Sequence, residues 1–256
     1  MRVLVSIKRV PNPGAKIPVT PDGLAVDVSH LGFTISPHEE CAVEESVRLV
    51  ERHGGDATVI TLGPPEAEEQ LRYAVSLGAD HAVLLPTDGT DWDPQRTAAA
   101  LAVAVRRLEE RDGTFDLLLF GNESVDAGGH QVGIRVAAAL GRPIVNGVKS
   151  IEVAGGVVTA GRPTAGATER YELPLPAALG VREGINLPRY PTIRGRLKSK
   201  KAAVDTGDPS AAAPGGLALR RLLPAREQVS ETNILGHGAE AAPRVVEVLE
   251  ELGLLR

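Results

Sequence analysis

The sequence predicts an α/β domain built on a parallel sheet with helices on both faces. Three observations support this fold class. Short apolar runs alternate with amphipathic helical stretches, the chain of 256 residues can bury one large core, and 43% of its residues are hydrophobic. The runs are apolar at almost every position, as in strands that are buried on both sides. The predicted strands are Val3–Ile7, Ala57–Leu62, Ala82–Leu85, Leu117–Phe120 and Ala177–Val181.

Amphipathic stretches between these strands predict the helices. Apolar residues recur at three-to-four spacing, proline and glutamates open one stretch, and a glycine ends another, as helix ends favour. The predicted helices are Glu39–Arg52, Pro65–Leu77, Pro94–Arg111 and Gly129–Leu140. Turns that contain proline and glycine predict two added β-hairpins. Their strands are Lys16–Thr20 with Leu24–Val28, and Ile151–Val153 with Val157–Thr159.

The composition of the chain changes after Lys201. Residues Asp205–Gly216 are rich in Pro, Gly, Ala and Ser, which is typical of a linker. Beyond it, Pro243–Leu252 predicts a short helix whose apolar side needs a surface on this domain or on another chain. That side consists of Val245, Val248, Leu249 and Leu252. We therefore divide the chain into an α/β domain over residues 1–202 and a linker with a C-terminal arm over residues 203–256.

Composition and motifs argue against several classes of protein. A net charge of −5 gives no basic face for a nucleic acid, and the longest apolar run, Ala98–Val105, is far too short to span a membrane. Cys41 is the single cysteine, which excludes an internal disulfide and favours a cytoplasmic location. The six histidines lack metal-binding spacing, and no serine hydrolase, zinc protease or P-loop motif occurs.

The stretch Phe120–Gly133 is the strongest candidate for ligand binding. It follows a buried strand and opens a predicted helix, so it lies at the carboxyl edge of the sheet, where open α/β folds bind ligands. Its glycines let the backbone approach a phosphate, and the amides of the helix face that anion. Ser124 and Asp126 could cap the helix or bind a ribose. An ordinary glycine-rich turn is the alternative interpretation.

A second stretch, Val181–Lys201, predicts a loop that two prolines stiffen. Arg189 and Tyr190 stand between these prolines, as in a firmly held turn. Ile193 follows as an apolar residue within a basic collar, which consists of Arg194, Arg196, Lys198, Lys200 and Lys201. From the residues alone, a solvated basic linker is the preferred interpretation.

These stretches resemble the electron transfer flavoprotein β-subunit family. The signature Val-Arg-Glu-Gly-x-Asn-x-Pro-Arg-Tyr-Pro-Thr, followed by a Lys-x-Lys-Lys cluster, is similar to the family's hallmark, and residues 3–11 resemble its opening strand. Ile35–Ser46 resembles its first long helix with the preceding loop. Ser124–Gly133 matches its nucleotide loop in order and spacing. The resemblance covers residues 1–202, and the tail matches only as a plan of linker and terminal helix.

The resemblance implies an adenine-nucleotide α-hydrolase-like (Rossmann-like) fold and two sets of binding residues. Such β-subunits bind AMP, which is structural and is not reduced, and they pair with an α-subunit that holds most of a redox-active FAD. The residues carried over for AMP are Ser6, Ser36, Pro37, His38, Glu39, Leu62, Asp126, Gly128, Gly129, His130, Gln131, Val132 and Gly133. Those carried over for partner recognition, within the loop 182–201, are Pro188, Arg189, Tyr190, Ile193, Arg194, Arg196, Leu197 and Lys198.

The resemblance also implies a function, that of a carrier rather than an enzyme. FAD in the heterodimer accepts electrons from acyl-CoA dehydrogenases of fatty acid oxidation and passes them to a quinone oxidoreductase in the membrane. The C-terminal arm is expected to pack on the α-subunit. Where family members often have an aromatic residue near the flavin, this chain has Pro13. Two alternatives stay open: a flavin-bifurcating form with a second FAD in place of AMP, and a stand-alone adenine-nucleotide-binding regulatory module.

Overall fold

The chain folds around a seven-stranded sheet in which all neighbouring strands are parallel. The computed structural model describes residues 1–12, 14, 16–209, 216–224 and 232–255. In chain order the strands are β1 (Arg2–Ile7), β2 (Val10–Pro11), β3 (Phe33–Thr34), β4 (Asp56–Gly63), β5 (His81–Pro86), β6 (Leu117–Gly121), β7 (Ile144–Val148), β8 (Ser150–Ala154), β9 (Val157–Thr164), β10 (Ala167–Pro174), β11 (Ala177–Val181) and β12 (Val204–Thr206). The helices are α1 (Pro37–His53), α2 (Glu68–Leu77), α3 (Pro94–Asp112), α4 (Val132–Leu140), α5 (Ile193–Lys201) and α6 (Ala242–Glu251).

The strand order across the large sheet is β12–β5–β4–β1–β6–β11–β7. Strands β8, β9 and β10 form a separate antiparallel sheet, and β2 pairs with β3. All five predicted strands lie within strands of the large sheet, which confirms the predicted parallel α/β fold. Strands β7 and β12 were not predicted, because β7 is interrupted by Gly147 and β12 is only three residues long.

Side chains of β1 alternate between two hydrophobic cores, one on each face of the sheet. Val3, Val5 and Ile7 belong to the core that α1 and α2 cover. Leu4 belongs to the opposite core, which α3 and α4 cover. Full burial of such a side chain contributes about 1.5–3 kcal/mol, so the continuous apolar runs of the sequence follow from helices on both faces.

Helices α1 and α4 begin at other residues than predicted, each for a local reason. Helix α1 begins two residues early, at Pro37, because Ser36 and Glu39 form a capping box. The Ser36 Oγ accepts a hydrogen bond from the Glu39 N–H (3.2 Å), and the Glu39 Oε2 accepts one from the Ser36 N–H (3.0 Å). Helix α4 begins three residues late, at Val132. The residues before it turn through left-handed conformations at Gly128 (φ +54°) and His130 (φ +52°).

The predicted loop 182–201 is wrong in its second half, because Ile193–Lys201 forms helix α5. The Thr192 Oγ1 caps it by accepting a hydrogen bond from the Gly195 N–H (3.0 Å). The helix packs on α2 so closely that a Cβ at residue 195 would lie 2.2 Å from the Ser76 carbonyl oxygen. The sequence shows a basic run without an apolar stripe there, so backbone contact with α2 and the cap stabilise a helix that periodicity does not reveal.

The two predicted hairpins have different outcomes. The hairpin over residues 16–28 is reduced to a single bridge between Val19 and Val26, since Pro18 has no N–H to extend the ladder. The hairpin over residues 151–159 is confirmed and is extended by β10 into a three-stranded sheet.

The tail divides differently from the predicted linker and arm. Asp205 and Thr206, the first residues of the predicted linker, lie in the edge strand β12, which pairs with β5. Residues 210–215 of that linker lie outside the described residues, as does Pro13. The chain forms two compact units, Met1–Leu222 and Leu223–Arg256. In the second unit, α6 exposes Val245. Its packing on another subunit stays a prediction.

Candidate functional site

A cleft opens at the carboxyl edge of the large sheet, beside β1. The strand order reverses at β1, so that the chain continues to opposite sides of the sheet from the strands around this point. From β1 the chain continues through α1 to β4 on one side, whereas β6 and β11 lie on the other. Open α/β folds bind ligands at such a reversal of strand order. The ends of β1, β4 and β6 line this cleft together with the loops after β5 and β6. We call the latter, residues 122–131, the glycine loop.

The glycine loop holds one residue in a strained conformation. His130 has a left-handed backbone without being glycine, which costs of order 1–3 kcal/mol and is typical of functional sites. A contact between its Nε2 and the Glu123 Oε2 (2.6 Å) holds the side chain. Gly128, also left-handed, closes a turn by donating its N–H to the Ser124 carbonyl (2.9 Å). The loop is therefore held in a defined shape at the cleft.

The helix starts around the cleft differ in what satisfies their first amides. Ser36 caps α1, and Asp93 caps α3 by accepting from the N–H groups of Gln95 (2.8 Å) and Arg96 (3.2 Å). In the part of the chain that the structure describes, no side chain caps α4, whose N-terminal residues Gln131, Val132 and Gly133 line the cleft. The first amides of a helix have no partner within it and favour an anion. Helix α4 therefore presents an anion-binding terminus to the cleft.

Two cations follow β1 at the wall of the cleft. The Lys8 Nζ lies 2.5 Å from the Asp126 Oδ2 of the glycine loop. The Arg9 guanidinium lies over the Phe33 ring, 3.3 Å from its centroid. Among the described residues, the buried Arg9 Nε has no hydrogen-bond partner, and burial lowers the pKa of this guanidinium. A buried donor of this kind favours an acceptor supplied by a ligand.

Glu39 lies at the floor of the cleft as a fully buried carboxyl group. Burial raises its pKa to about 8, against the opposing effect of hydrogen bonds from Ser36 and from the Lys8 backbone. The chain passes close to this group at Gly121, where a Cβ would lie 2.7 Å from the Glu39 Cγ. Glycine at residue 121 is therefore required for the end of β6 to pack against the start of α1.

The cleft brings together eight of the thirteen residues carried over for AMP. Those that line it are Ser6, Glu39, Leu62, Gly129, His130, Gln131, Val132 and Gly133. The other five do not line it: Ser36 is the N-cap of α1, Pro37 and His38 begin this helix, and Asp126 and Gly128 lie within the glycine loop. The His38 Nδ1 accepts a hydrogen bond from the Glu183 N–H (2.9 Å), and this ties α1 to the end of β11.

Sequence reasoning missed several residues of the cleft. Lys8, Arg9 and Trp92 line it as well. The sequence could have identified Lys8 and Arg9 as site residues. They come directly after the first buried strand, and residues at that position lie at the edge of the sheet where ligands bind. The sequence could also have identified Trp92. The chain's single tryptophan stands in Asp-Trp-Asp-Pro, where Asp and Pro are typical of a helix start. No group of three or more His, Cys, Asp or Glu among the described residues is arranged to hold a metal ion.

Residues 186–189 of the second candidate stretch are fastened to α1. The Asn186 Nδ2 donates to the Cys41 carbonyl (3.0 Å) and to the Glu45 Oε2 (2.9 Å). The Arg189 guanidinium binds the Glu44 Oε2 through Nε (2.8 Å) and the Glu51 Oε1 through Nη1 (2.7 Å). We call Glu44, Glu51 and Arg189 the clamp.

The electrostatics of the clamp are those of a closed ion-pair network. The Glu44 side chain is only 2% exposed. Burial alone would raise its pKa, but hydrogen bonds from Arg189 and Arg48 outweigh burial and lower it. Hydrogen bonds to Glu51 and Glu44 raise the pKa of Arg189 in turn. Arg189, carried over as a partner contact, is thus engaged within its own chain.

Large apolar side chains beside the clamp face solvent. Leu187 is 83% exposed, Tyr190 92% and Ile193 83%, and Leu197 follows one turn later on α5. We call these four residues the apolar strip. Arg194 and Arg196 are exposed around it, Pro188 is half-buried, and the Lys198 Nζ bonds the Asp80 Oδ1 (3.3 Å). The apolar strip is therefore exposed on a backbone that the clamp and the cap of α5 hold in place.

Comparison with known proteins concerns both the cleft and the segment that carries the clamp and the apolar strip. A family model described as the electron transfer flavoprotein domain matches residues 23–212. A relative from Bacillus subtilis (strain 168), the electron transfer flavoprotein subunit beta, is 31% identical over 256 residues, which cover 97% of each chain. The chain belongs to the electron transfer flavoprotein family. The matched region includes the glycine loop, the clamp and the apolar strip.

Two further relatives support this membership. The electron transfer flavoprotein subunit beta of Mycobacterium leprae (strain TN) is 36% identical over 208 residues, or 79% of this chain and 77% of the relative. Protein FixA of Azorhizobium caulinodans is 34% identical over 209 residues, or 80% and 74%. The relatives named electron transfer flavoprotein subunit beta are subunits of redox carriers, and this flavoprotein-family chain is a carrier subunit rather than an enzyme. No described helix has the length and apolar character that crossing a bilayer requires.

Proposed function

We propose that this chain is the β-subunit of a heterodimer that carries electrons on FAD and holds AMP in its own cleft. The uncapped start of α4 is the observation that carries the AMP site, because α1 and α3 beside it are capped by their own side chains. Amide groups without a partner, at the positive end of a helix, favour the phosphate of a nucleotide.

The residues of the cleft fit a nucleotide monophosphate in three respects. Gly129 leaves the backbone before α4 open to a phosphate, since a Cβ there would meet only Pro94, at 3.7 Å. The buried Arg9 Nε needs an acceptor. Lys8 adds a cation at the same wall, although Asp126 neutralises part of its charge. FAD, held mostly by the α-subunit, supplies the redox chemistry when bound, and this chain binds the structural nucleotide and presents the docking surface.

A count of bound cofactors tests this proposal against its alternatives. The chain is co-expressed with an α-subunit, and the purified complex is extracted and analysed by mass spectrometry. We expect one flavin and one AMP per heterodimer. Two flavins would favour the bifurcating form, in which FAD occupies the same loop. A chain that stays a monomer or homodimer and ignores the α-subunit would favour the stand-alone regulatory module.

We assign electron exchange with protein partners to the apolar strip and its basic surroundings. The partners proposed are acyl-CoA dehydrogenases as donors and a membrane quinone oxidoreductase as acceptor, with the carrier itself in the cytoplasm. A carrier must bind each partner and leave again, which favours a small interface. Four apolar side chains on a rigid backbone suit such brief contacts, and the exposed arginines favour acidic partners.

We assign the α-subunit interface to the second unit, residues 223–256. Helix α6 exposes apolar side chains there, and a helix of ten residues is marginal without a surface to pack on. Deletion of residues 223–256 leaves the edge strand β12 intact, whereas deletion from residue 205 would remove part of it. We expect the shorter chain to fold and to lose heterodimer formation, measured by size-exclusion chromatography with the α-subunit. Full-strength assembly of the truncated chain would contradict this assignment.

A further inference from the structure

The cleft has two walls of different chemistry. On the side of β6, the glycine loop and the start of α4 offer amides and polar side chains. On the side of β4 and β5, the side chains of Leu62, Pro64, Trp92 and Leu101 form an apolar wall beside the polar residues Thr87, Thr90 and Asp91. Phosphate suits the first wall, and a flat apolar ring suits the second.

Trp92 is the aromatic side chain of the apolar wall, and its neighbours hold it in place. The Arg96 guanidinium stacks on the indole, 3.5 Å from the ring centroid. The Thr97 hydroxyl donates to the Trp92 carbonyl (3.3 Å). Earlier in the same loop, the Asp88 Oδ1 accepts from the Thr90 N–H (3.1 Å) and hydroxyl (2.6 Å). The indole is therefore a supported platform rather than a loose loop residue.

The loop that carries Trp92 comes close to the glycine loop. Trp92 follows β5, and the glycine loop follows β6, with β4 and β1 between these strands. A Cβ at Gly129 would nevertheless lie 3.7 Å from the Cγ of Pro94, two residues beyond Trp92. A nucleotide whose phosphate binds at the start of α4 therefore has the indole within the same cleft.

We propose that Trp92 is a ligand-contacting residue that stacks on the base of the bound nucleotide. This rests on the proposed function, because the phosphate at α4 sets the position of the base. Stacking between an aromatic side chain and a base is selective for flat rings but tolerant of which base is present. Trp92 then recognises the nucleoside end of the ligand, and the glycine loop recognises its phosphate.

The test compares two ligands that share a phosphate and differ in the base. AMP and ribose 5-phosphate are titrated by calorimetry into nucleotide-free heterodimers that carry Trp92→Ala, Trp92→Phe or the unchanged chain. We expect Trp92→Ala to lower the affinity for AMP roughly ten- to hundredfold and to leave that for ribose 5-phosphate within about twofold. Trp92→Phe, which keeps a ring, restores most of the AMP affinity.

Tyr171→Ala is the matched control. Tyr171 is also stacked on an arginine, Arg162, but it belongs to the antiparallel sheet and does not line the cleft. We expect this variant to bind AMP as the unchanged chain does. AMP affinity unaltered by Trp92→Ala would overturn the stacking role and leave the nucleotide site intact. Equal losses of affinity for AMP and for ribose 5-phosphate would overturn it too, because they would indicate damage to the loop and not the loss of a stacking contact. An unchanged heterodimer that binds neither ligand would instead refute the proposed AMP site.

Discussion

Two buried glutamates on α1, Glu39 and Glu44, differ in what surrounds their carboxyl groups. Glu39 borders the cleft, where burial raises its pKa to about 8. Glu44 belongs to the clamp, where Arg189 and Arg48 reverse the effect of burial and lower its pKa. The same residue type on the same helix thus titrates in opposite directions, because only one of the two sites receives arginines.

The contrast extends from the two carboxyl groups to the regions around them. Around Glu44 the polar groups pair within the chain, and apolar side chains such as Ile193 face solvent. Around Glu39 the apolar groups are buried, and polar groups such as the α4 amides and the Arg9 Nε have no side-chain partner among the described residues. A surface that offers unpaired donors suits a small anionic ligand, whereas one that offers apolar side chains on a fixed frame suits a protein.

The largest effect expected from this contrast is a dependence of stability on pH. The folded-state pKa of Glu39, about 8, lies above the ordinary value of 4.5, so the folded protein holds this proton more tightly than the unfolded chain. The stabilisation is complete below pH 4.5 and is lost as the pH rises through 8, a change of at most about 5 kcal/mol. Thermal unfolding of the heterodimer between pH 5 and 9 measures it. We expect Glu39→Gln to flatten the profile in this range.

Glu44→Gln is the matched control for that experiment. The pKa of Glu44 is lowered, so its contribution is present above pH 4.5 and is lost as the pH falls through the folded-state value. We expect this variant to change the acid limb of the profile and to leave the alkaline slope in place. An alkaline slope that survives Glu39→Gln would contradict the assignment to Glu39.

The next effect concerns the clamp. Arg189→Ala leaves Glu44 buried with Arg48 as its remaining cation, and breaking a buried ion pair by removing one partner typically costs about 3 kcal/mol. We expect a lower unfolding temperature and, because the Pro188–Pro191 turn is released, weaker docking of a dehydrogenase. Arg194→Ala is the control, since Arg194 is exposed on α5. The unfolding temperature of Arg194→Ala should stay unchanged. Equal unfolding temperatures for the two variants would mean that the clamp does not stabilise the fold.

A third effect belongs to the cleft. A Cβ at Gly129 has room, with Pro94 3.7 Å away, so Gly129→Ala fits, whereas the two added methyl groups of Gly129→Val fill space in the cleft. We expect the valine variant to lose about 3 kcal/mol of AMP binding, the value of one or two charge-assisted hydrogen bonds, and to loosen the heterodimer. Bound AMP per purified complex is the measurement, with the alanine variant as control. Stoichiometric AMP with valine would refute the loop assignment.

The sequence predicted best those structural features that depend on the residue types within one segment. Five buried strands follow from apolar runs, and the glycine loop follows from its position after β6. Helix α5 and the clamp could not be predicted in this way. Arg189 binds Glu44 and Glu51 across more than a hundred residues of chain, and Gly195 matters only because Ser76 lies beneath it. Such contacts depend on the tertiary fold and leave no periodic pattern in one sequence.

The smallest effect expected tests whether the apolar strip is a docking surface. Ile193 is exposed at the start of α5, and its burial in a partner pocket would contribute about 1.5–3 kcal/mol, or a tenfold to hundredfold change in the docking constant. We expect Ile193→Ala to slow flavin reduction by an acyl-CoA dehydrogenase at limiting partner concentration, with saturated rate, flavin spectrum and heterodimer unchanged. Stopped-flow absorbance measures the rate.

The exposed arginines provide the comparison for Ile193. Arg194→Gln removes a charge beside the strip and should reduce the dependence of the reduction rate on salt, while Ile193→Ala should leave that dependence as it is. An apolar anchor and a steering charge are thereby separated in one assay. Equal rates for the Ile193→Ala and unchanged complexes at limiting dehydrogenase would show that the strip is ordinary solvated surface. In that case the cleft would remain the proposed nucleotide site, and the apolar strip beside the clamp would have no role in docking.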